Sequence, residues 1–214
     1  MKLVKPSVEI ISLSQNPLET IEAAGRTCYK SENRMKPGTA PEFCNMILND
    51  YKHESVIEHS AMTVRFVCDR GVSHELVRHR LAAYSQESTR YCNYTKKKFT
   101  GQISVIEPKE LDGNHEAKRW WNIGVKAAEE AYQNMIKFGA PPEIARDVLP
   151  TVTKTEVVMT ANFREWRHVF SMRCHKSAHP RIRSLMLELL KLVKIEVPVM
   201  FDDLWEQYGE KKND

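Results

Sequence analysis

Residues 62–80 read MTVRFVCDRGVSHELVRHR. Met62, Val64, Phe66 and Cys68 place an apolar side chain at every second position, the period of a strand with one buried face. Gly71 interrupts that alternation, and Ser73 has the chemistry of a helix cap, so a short helix through His79 is expected. The stretch ends on Arg78-His79-Arg80, and an irregular loop of about ten residues is expected to follow, a favoured location for binding chemistry when rigid elements carry it.

Working outward, residues 7–13 read as a strand, and Asn16-Pro17 opens a helix with Asn as cap and Pro in the first turn. That helix carries Leu18, Ile21, Ala24 and Cys28 on one face, and Pro41 begins a second with Phe43, Met46 and Ile47 inward. On the other side, residues 103–106 suggest a strand. A long helix is expected from Asn114 to Phe138, stopped by Gly139 and Pro141-Pro142. Thr151–Met159 is rich in β-branched residues and reads as a strand; Asn162 caps a helix reaching Arg173. Pro180 starts a last long helix through Val197, with Ile182, Leu185, Met186, Leu189 and Val193 inward. Strands and helices mix without the strict alternation of a doubly wound sheet, so the class is α+β.

Composition narrows the function. A length of 214 residues predicts one domain, residues 1–214. The 42% hydrophobic and 28% charged content is that of a soluble globular protein, and no apolar run approaches the roughly 20 residues that span a bilayer. The start, Met1 to Pro6, lacks the apolar core of a signal peptide, which points to the cytoplasm. Five cysteines with no C-x-x-C pair suit a reducing compartment. Histidines are numerous, but His74 and His79 lie five apart and turn off a common helical face, so no metal site is expected. The net charge is only +4, so basicity is local and favours a small anionic ligand over a long polyanion.

Four groups of residues could carry chemistry. Arg78, His79 and Arg80 are followed by Ser88 and Arg90, a dense set of donors in which each guanidinium fork matches a phosphate. On an extended stretch Ser88 and Arg90 point the same way. The bland reading is a solvated basic face. In Asn162 to His168, Arg164 and His168 stand at i and i+4 on one helical face, with Trp166 and Phe170 paired elsewhere. Arg173 is half a turn away from Arg164 in angle, so it should address a different ligand or a neighbouring subunit's pocket; exposed arginines on an amphipathic helix are the alternative. Arg146 sits beside Asp147, where a local ion pair is as good a reading as a site. His53 to His59 reads equally as a capped turn. No nucleophile elbow, Walker loop or G-x-G-x-x-G fingerprint is present.

Taken together, these segments resemble the flavin-dependent thymidylate synthases. Arg78-His79-Arg80, seven residues and then Ser88 is similar to that family's signature, and Tyr84 to Tyr91 matches a common form of it. The similarity also takes in His53 to His59, Ala145 to Pro150, Asn162 to Arg173 and Ala178-His179-Pro180, in order across about residues 15–200. It implies an α+β fold, a mixed sheet with flanking helices. It implies FAD held by Ser55, Arg78, His79, Arg80, Gln86, Asn162, Phe163, Arg164 and His168. It implies dUMP held by Glu75, Leu76, Val77, Arg78, Gln86, Glu87, Ser88, Thr89, Arg90, Arg146 and Arg173, with Arg173 activating the uracil ring at N3. His53 lies where the family places folate or nicotinamide, Glu75 where some members carry Gln, and His168 where some carry Asn. The implied reaction converts dUMP to dTMP, with methylenetetrahydrofolate as carbon donor, NADPH reducing FAD, and a homotetramer sharing its active sites.

Two rivals stand beside this reading. Arg90 to Phe99 interleaves bases with aromatics as single-strand nucleic-acid binders do, although a solvated loop is favoured and no nucleic-acid partner is expected. The other is a flavoprotein of related fold that has lost methyl transfer.

Overall fold

The computed structural model describes residues 1–209; residues 210–214 of the expected domain lie outside the described residues. Backbone contacts divide the chain into two compact units, each discontinuous in sequence. One comprises Met1–Ser7, Phe66–Arg78 and Ser85–Val157, and the other Val8–Arg65, His79–Tyr84 and Val158–Asp214.

The strands are β1 (Lys2–Val4), β2 (Ser7–Leu13), β3 (Ala61–Asp69), β4 (Ala82–Gln86), β5 (Ser104–Ile106) and β6 (Lys154–Asn162). A four-stranded sheet runs β2-β3-β6-β4, and β1 pairs in parallel with β5, Leu3 opposite Val105. Helices α1 (Pro17–Cys28), α2 (Ala40–Met46), α3 (Arg70–Leu76), α4 (His115–Lys137), α5 (Pro142–Ala145), α6 (Phe163–Arg173), α7 (Pro180–Glu196) and α8 (Pro198–Tyr208) complete the α+β architecture. None is long and apolar enough to cross a membrane.

The alternation that opened the sequence reading is realised in β3. Met62, Val64, Phe66 and Cys68 are all buried, as are Val157, Met159 and Ala161 on β6. In the first unit, Tyr94, Ile103, Val105, Val125, Tyr132 and Ala145 form one apolar cluster against α4. Asn114 caps α4 by accepting from the Ala117 N–H, and Gly139, at φ 94°, closes it in the left-handed conformation that glycine adopts without strain.

In the second unit α6, α7 and α8 pack together, and α1 packs on α2. The inward residues expected for α7 are all buried. Gly25 permits the α1–α2 approach: a Cβ there would fall 2.6 Å from the Phe43 ring.

Several expectations are corrected. The cap of α3 is Asp69, whose carboxylate accepts from the Val72 N–H at 2.8 Å; Ser73 lies inside the helix and donates to the Arg70 carbonyl. The helix stops at Leu76, before the cation cluster. The expected loop contains a strand, β4, which shows no apolar alternation: Ala83, Ser85 and Gln86 are exposed, Ala82 and Tyr84 are half-buried, and pairing on the sheet holds it. Strand β6 begins and ends three residues later than expected, because Thr151–Thr153 forms a turn in which Thr153 donates to the Pro150 carbonyl. On α1 the buried face is Ile21, Glu22 and Gly25, while Cys28 is exposed. Glu22 tolerates burial because Arg26 and Thr39 both donate to it. Finally, Pro198 starts one more helix, α8.

Candidate functional site

In the first unit, the residues after β4 form a turn. The Arg90 N–H donates to Ser88 Oγ at 3.3 Å, and the Cys92 N–H donates to the Ser88 carbonyl at 3.0 Å. The stretch is therefore a hydroxyl-braced turn, and the extended geometry expected for Ser88 and Arg90 is absent.

Arg146, on the turn after α5, donates to Thr89 Oγ1 at 3.3 Å, which joins two groups 57 residues apart. Its partner is thus Thr89 instead of the local Asp147 that the sequence offered. The Arg90 guanidinium is half exposed, 3.7 Å from Glu143 and over the Tyr91 ring.

Glu87 holds the turn in place. Its carboxylate accepts from Tyr94 Oη at 3.0 Å and from Lys154 Nζ at 2.9 Å, and its N–H donates to the Glu156 carbonyl. Burial, then the charge of Glu87, pushes the Tyr94 phenol upward, so it stays a donor. Burial alone would lower the Lys154 ammonium, but its hydrogen bonds to Glu156 and Glu87 outweigh that and raise it. Gln86 donates to Ser73 Oγ and Thr155 Oγ1. Leu76 is wholly buried, so its side chain is core, whereas Val77 and Arg78 are exposed.

In the second unit, Asn162 caps α6 by accepting from the Glu165 N–H at 2.9 Å. One face of the helix is core: Phe163, Trp166, Val169 and Phe170 are fully buried, and Trp166 donates its indole N–H to the Met62 carbonyl. Phe163 is fully buried and packs edge-on against Phe201, which leaves its main chain as the part able to meet a ligand. The other face lines a cavity of about 870 Å³, with Arg164, Glu165, His168 and Ser171 on one wall and Glu54, Glu58, Leu81 and Leu204 among its other neighbours. Arg167 grips Asp203 with both terminal nitrogens. Burial pushes the Asp203 carboxyl up, but the Arg167 hydrogen bond and charge prevail and hold it below its usual range.

Arg164 is paired with Glu58 at 2.6 Å and with Glu54 at 3.6 Å. Ser55 is exposed on the 3-10 turn Glu54–His59. His53 stacks on Tyr51 at 5.6 Å and lines a second pocket, of about 320 Å³, with Arg26, Tyr29, Arg34 and Phe43.

The cation motif separates on folding. Arg78 and Arg80 are exposed, while His79 is 4% exposed. Its Nε2 accepts from Arg173 Nε at 3.0 Å, its Nδ1 lies 3.6 Å from Glu165, and its ring meets His168 edge-on at 5.7 Å. Tyr84 Oη donates to its carbonyl. Burial, then the charges of Arg173 and His168, pushes the imidazole down to about 4. His79 is therefore neutral at physiological pH, and its contact with Glu165 joins a dipole to a charge.

Sequence reasoning missed Glu165, Glu54, Glu58 and Tyr84. It also missed that His79, Glu165 and His168 bring ligating atoms within 4.8 Å of one another. The Arg173 guanidinium already supplies a positive charge to that cluster. Burial pushes the Cys44, Cys68 and Cys174 thiols up to about 12, so these three are not poised as nucleophiles.

Residues 9–199 match the family described as thymidylate synthase complementing protein. The flavin-dependent thymidylate synthase of Geobacter sulfurreducens is 31% identical over 203 residues, covering 92% of this chain and 85% of the relative. That of Mycobacterium avium is 32% identical over 201 residues, covering 86% and 78%. Among solved structures, a UMP/dUMP methylase from Streptomyces cacaoi bound with 5-Br dUMP superposes with a TM-score of 0.79 at 22% identity, covering 98% of both chains. Thymidylate synthase X from Helicobacter pylori, solved with FAD and dUMP, superposes at 0.76 and 19% identity, covering 93% of this chain and 98% of its own. At those identities the structural likeness speaks to the fold, and the sequence matches carry the family. With 92% of its length aligned to a synthase at 31% identity, the chain belongs to the flavin-dependent thymidylate synthases.

Proposed function

We propose that this chain methylates dUMP to dTMP, with FAD as its cofactor and methylenetetrahydrofolate and NADPH as co-substrates. The one-carbon unit joins C5 of the uracil, the C5 proton leaves, NADPH supplies two electrons and tetrahydrofolate departs. The observation that carries the reading is the division of labour along α6. Arg164 and His168 face a ligand-sized cavity, while Arg173 at the far end is held by the buried His79.

The cavity suits a flavin nucleotide. Its size lies in the range of cofactor sites, Leu81 and Leu204 offer apolar surface, and Asn162, Arg164 and His168 offer polar groups. Glu54 and Glu58 neutralise Arg164 until a ligand's anionic groups compete for it. FAD held by Asn162, Arg164 and His168 would supply the hydride chemistry between NADPH and the pyrimidine-borne carbon.

The nucleotide's phosphate is assigned to Ser88, Arg90 and Arg146, where each charge-assisted hydrogen bond contributes about 1.5–3 kcal/mol. Gln86 and Thr89 complete that turn, and Glu87 orients it. Arg173 stabilises the uracil N3 anion. A neighbouring cation lowers an acid's pKa by about 1–3 units, each worth roughly 1.4 kcal/mol, which activates the ring without a cysteine adduct. His53 borders the site of the co-substrates. Residues 1–214 act as one catalytic domain of a cytoplasmic homotetramer with shared sites. Five free cysteines suit a reducing compartment.

The test is direct. Purified protein should carry a flavin absorption band that NADPH bleaches, and dTMP should form only with dUMP and methylenetetrahydrofolate present. Bleaching without dTMP would leave a flavoprotein that has lost methyl transfer. The nucleic-acid rival is weakened because Tyr94, within the interleaved tract, is buried and bonded to Glu87.

A further inference from the structure

Glu165 is 7% exposed, and its carboxylate meets the imidazole of His79 within the fold. A buried carboxylate without a functional partner is costly, so its direction calls for a reason. Arg173 Nε–H donates to His79 Nε2, which requires a lone pair on Nε2 and therefore places the ring proton on Nδ1. Nδ1 is the atom that faces Glu165 Oε1, at 3.6 Å. That separation exceeds a hydrogen bond, so the carboxylate acts through its field, which favours the N–H dipole pointing toward it. A cation, a neutral imidazole and an anion are thus aligned in order.

We propose that Glu165 is a positioning residue for the methylation reaction: through His79 it fixes the plane of the Arg173 guanidinium. This inference rests on the reading of Arg173 as the group that meets the uracil. A guanidinium anchored at Nε presents its fork in a preset orientation, so less freedom is lost when the nucleotide binds. The carboxylate also offsets the cation's charge in a setting largely screened from water. A metal ion is a poorer occupant of the same cluster, since His79 Nε2 already faces a guanidinium at 3.0 Å.

Two variants test it in the FAD-loaded protein, Glu165→Gln, nearly isosteric and uncharged, and Glu165→Ala. The expected result for Glu165→Gln is a fall in kcat of about 10–100-fold with the dUMP KM changed less than about 3-fold, as for loss of an interaction used in the transition state. Nitrogen-15 NMR should show the His79 proton on Nδ1 in the native protein and a mixture of tautomers in Glu165→Ala. Native kcat in Glu165→Gln together with an unchanged His79 spectrum overturns the proposal. So does loss of flavin occupancy with normal turnover per bound flavin, which would make Glu165 only a wall of the cavity. The NMR arm needs no turnover: if the native protein makes no dTMP, the functional reading fails, while the His79 spectrum still decides whether Glu165 governs this histidine.

Discussion

The Ser88–Arg90 turn and helix α6 both present arginines, yet they hold them by different means. In the turn, Arg90 is half exposed, its ion pair with Glu143 is long, and local hydroxyl contacts shape the backbone. On α6, the polar stripe rides on a face whose reverse side is sealed by Trp166, Val169 and Phe170, and its last arginine is fixed by a buried imidazole. The phosphate proposed for the turn tolerates small errors of angle, so surface charges would suffice to bind it. The role proposed for Arg173, at one ring atom, tolerates less, and that residue is mounted on core packing.

The strongest way to break the contrast is Trp166→Ala. Removing a fully buried indole that also donates to Met62 should cost about 3–5 kcal/mol of stability and release flavin, read by thermal melting and retained absorbance. An unchanged melt would show that α6 is not mounted as described. Next is Arg173→Ala, expected to lower kcat by about 100-fold with little change in dUMP KM, whereas equal losses in both would reduce Arg173 to a binding group.

The pH dependence of stability follows in size. The His79 imidazole sits at about 4 in the fold against 6.5 when exposed, so the unfolded chain takes up the proton first. Stability should therefore fall as pH drops from 6.5 toward 4, by roughly 3 kcal/mol at most from this residue. Glu165, His168, Arg173 and Tyr84 all face the histidine, so urea titrations of His79→Gln beside the native protein isolate its share. Parallel curves would refute the assignment.

Arg90→Ala should raise the dUMP KM about 10-fold and leave kcat nearly intact, a loss sensitive to salt; a collapse of kcat would place the turn in the chemistry. The smallest effect is expected from Glu58→Gln, which removes the shorter of the two ion pairs of half-exposed Arg164 and leaves the one to Glu54. Flavin should bind up to a few-fold tighter by fluorescence quenching, and weaker binding would mean that Glu58 itself contacts the cofactor.

Much of the fold was legible because its signals are local. The alternation in β3, the Asn162 cap and the Gly139 stop each act within a few residues, and each appears as read. The errors lay where local signals compete. Asp69 caps α3 in place of Ser73 because its carboxylate accepts from the Val72 N–H, and β4 carries no apolar period because none of its residues is fully buried. The site was half legible. Arg164, His168 and Arg173 stood out by type and spacing, whereas Glu165 was hidden inside Asn-x-x-Glu, a pattern that reads as a helix capping box.

From the linear chain alone came the helical faces, the caps, the donor-rich segments and the family they resemble, since side-chain period and hydrogen-bonding chemistry are set by near neighbours. Only the folded molecule decided that His79 turns inward while Arg78 and Arg80 stay exposed, and that Arg173 finds that imidazole across 94 residues. The reason is physical: which of three adjacent polar side chains is buried depends on distant partners able to repay its desolvation, and no local pattern encodes them.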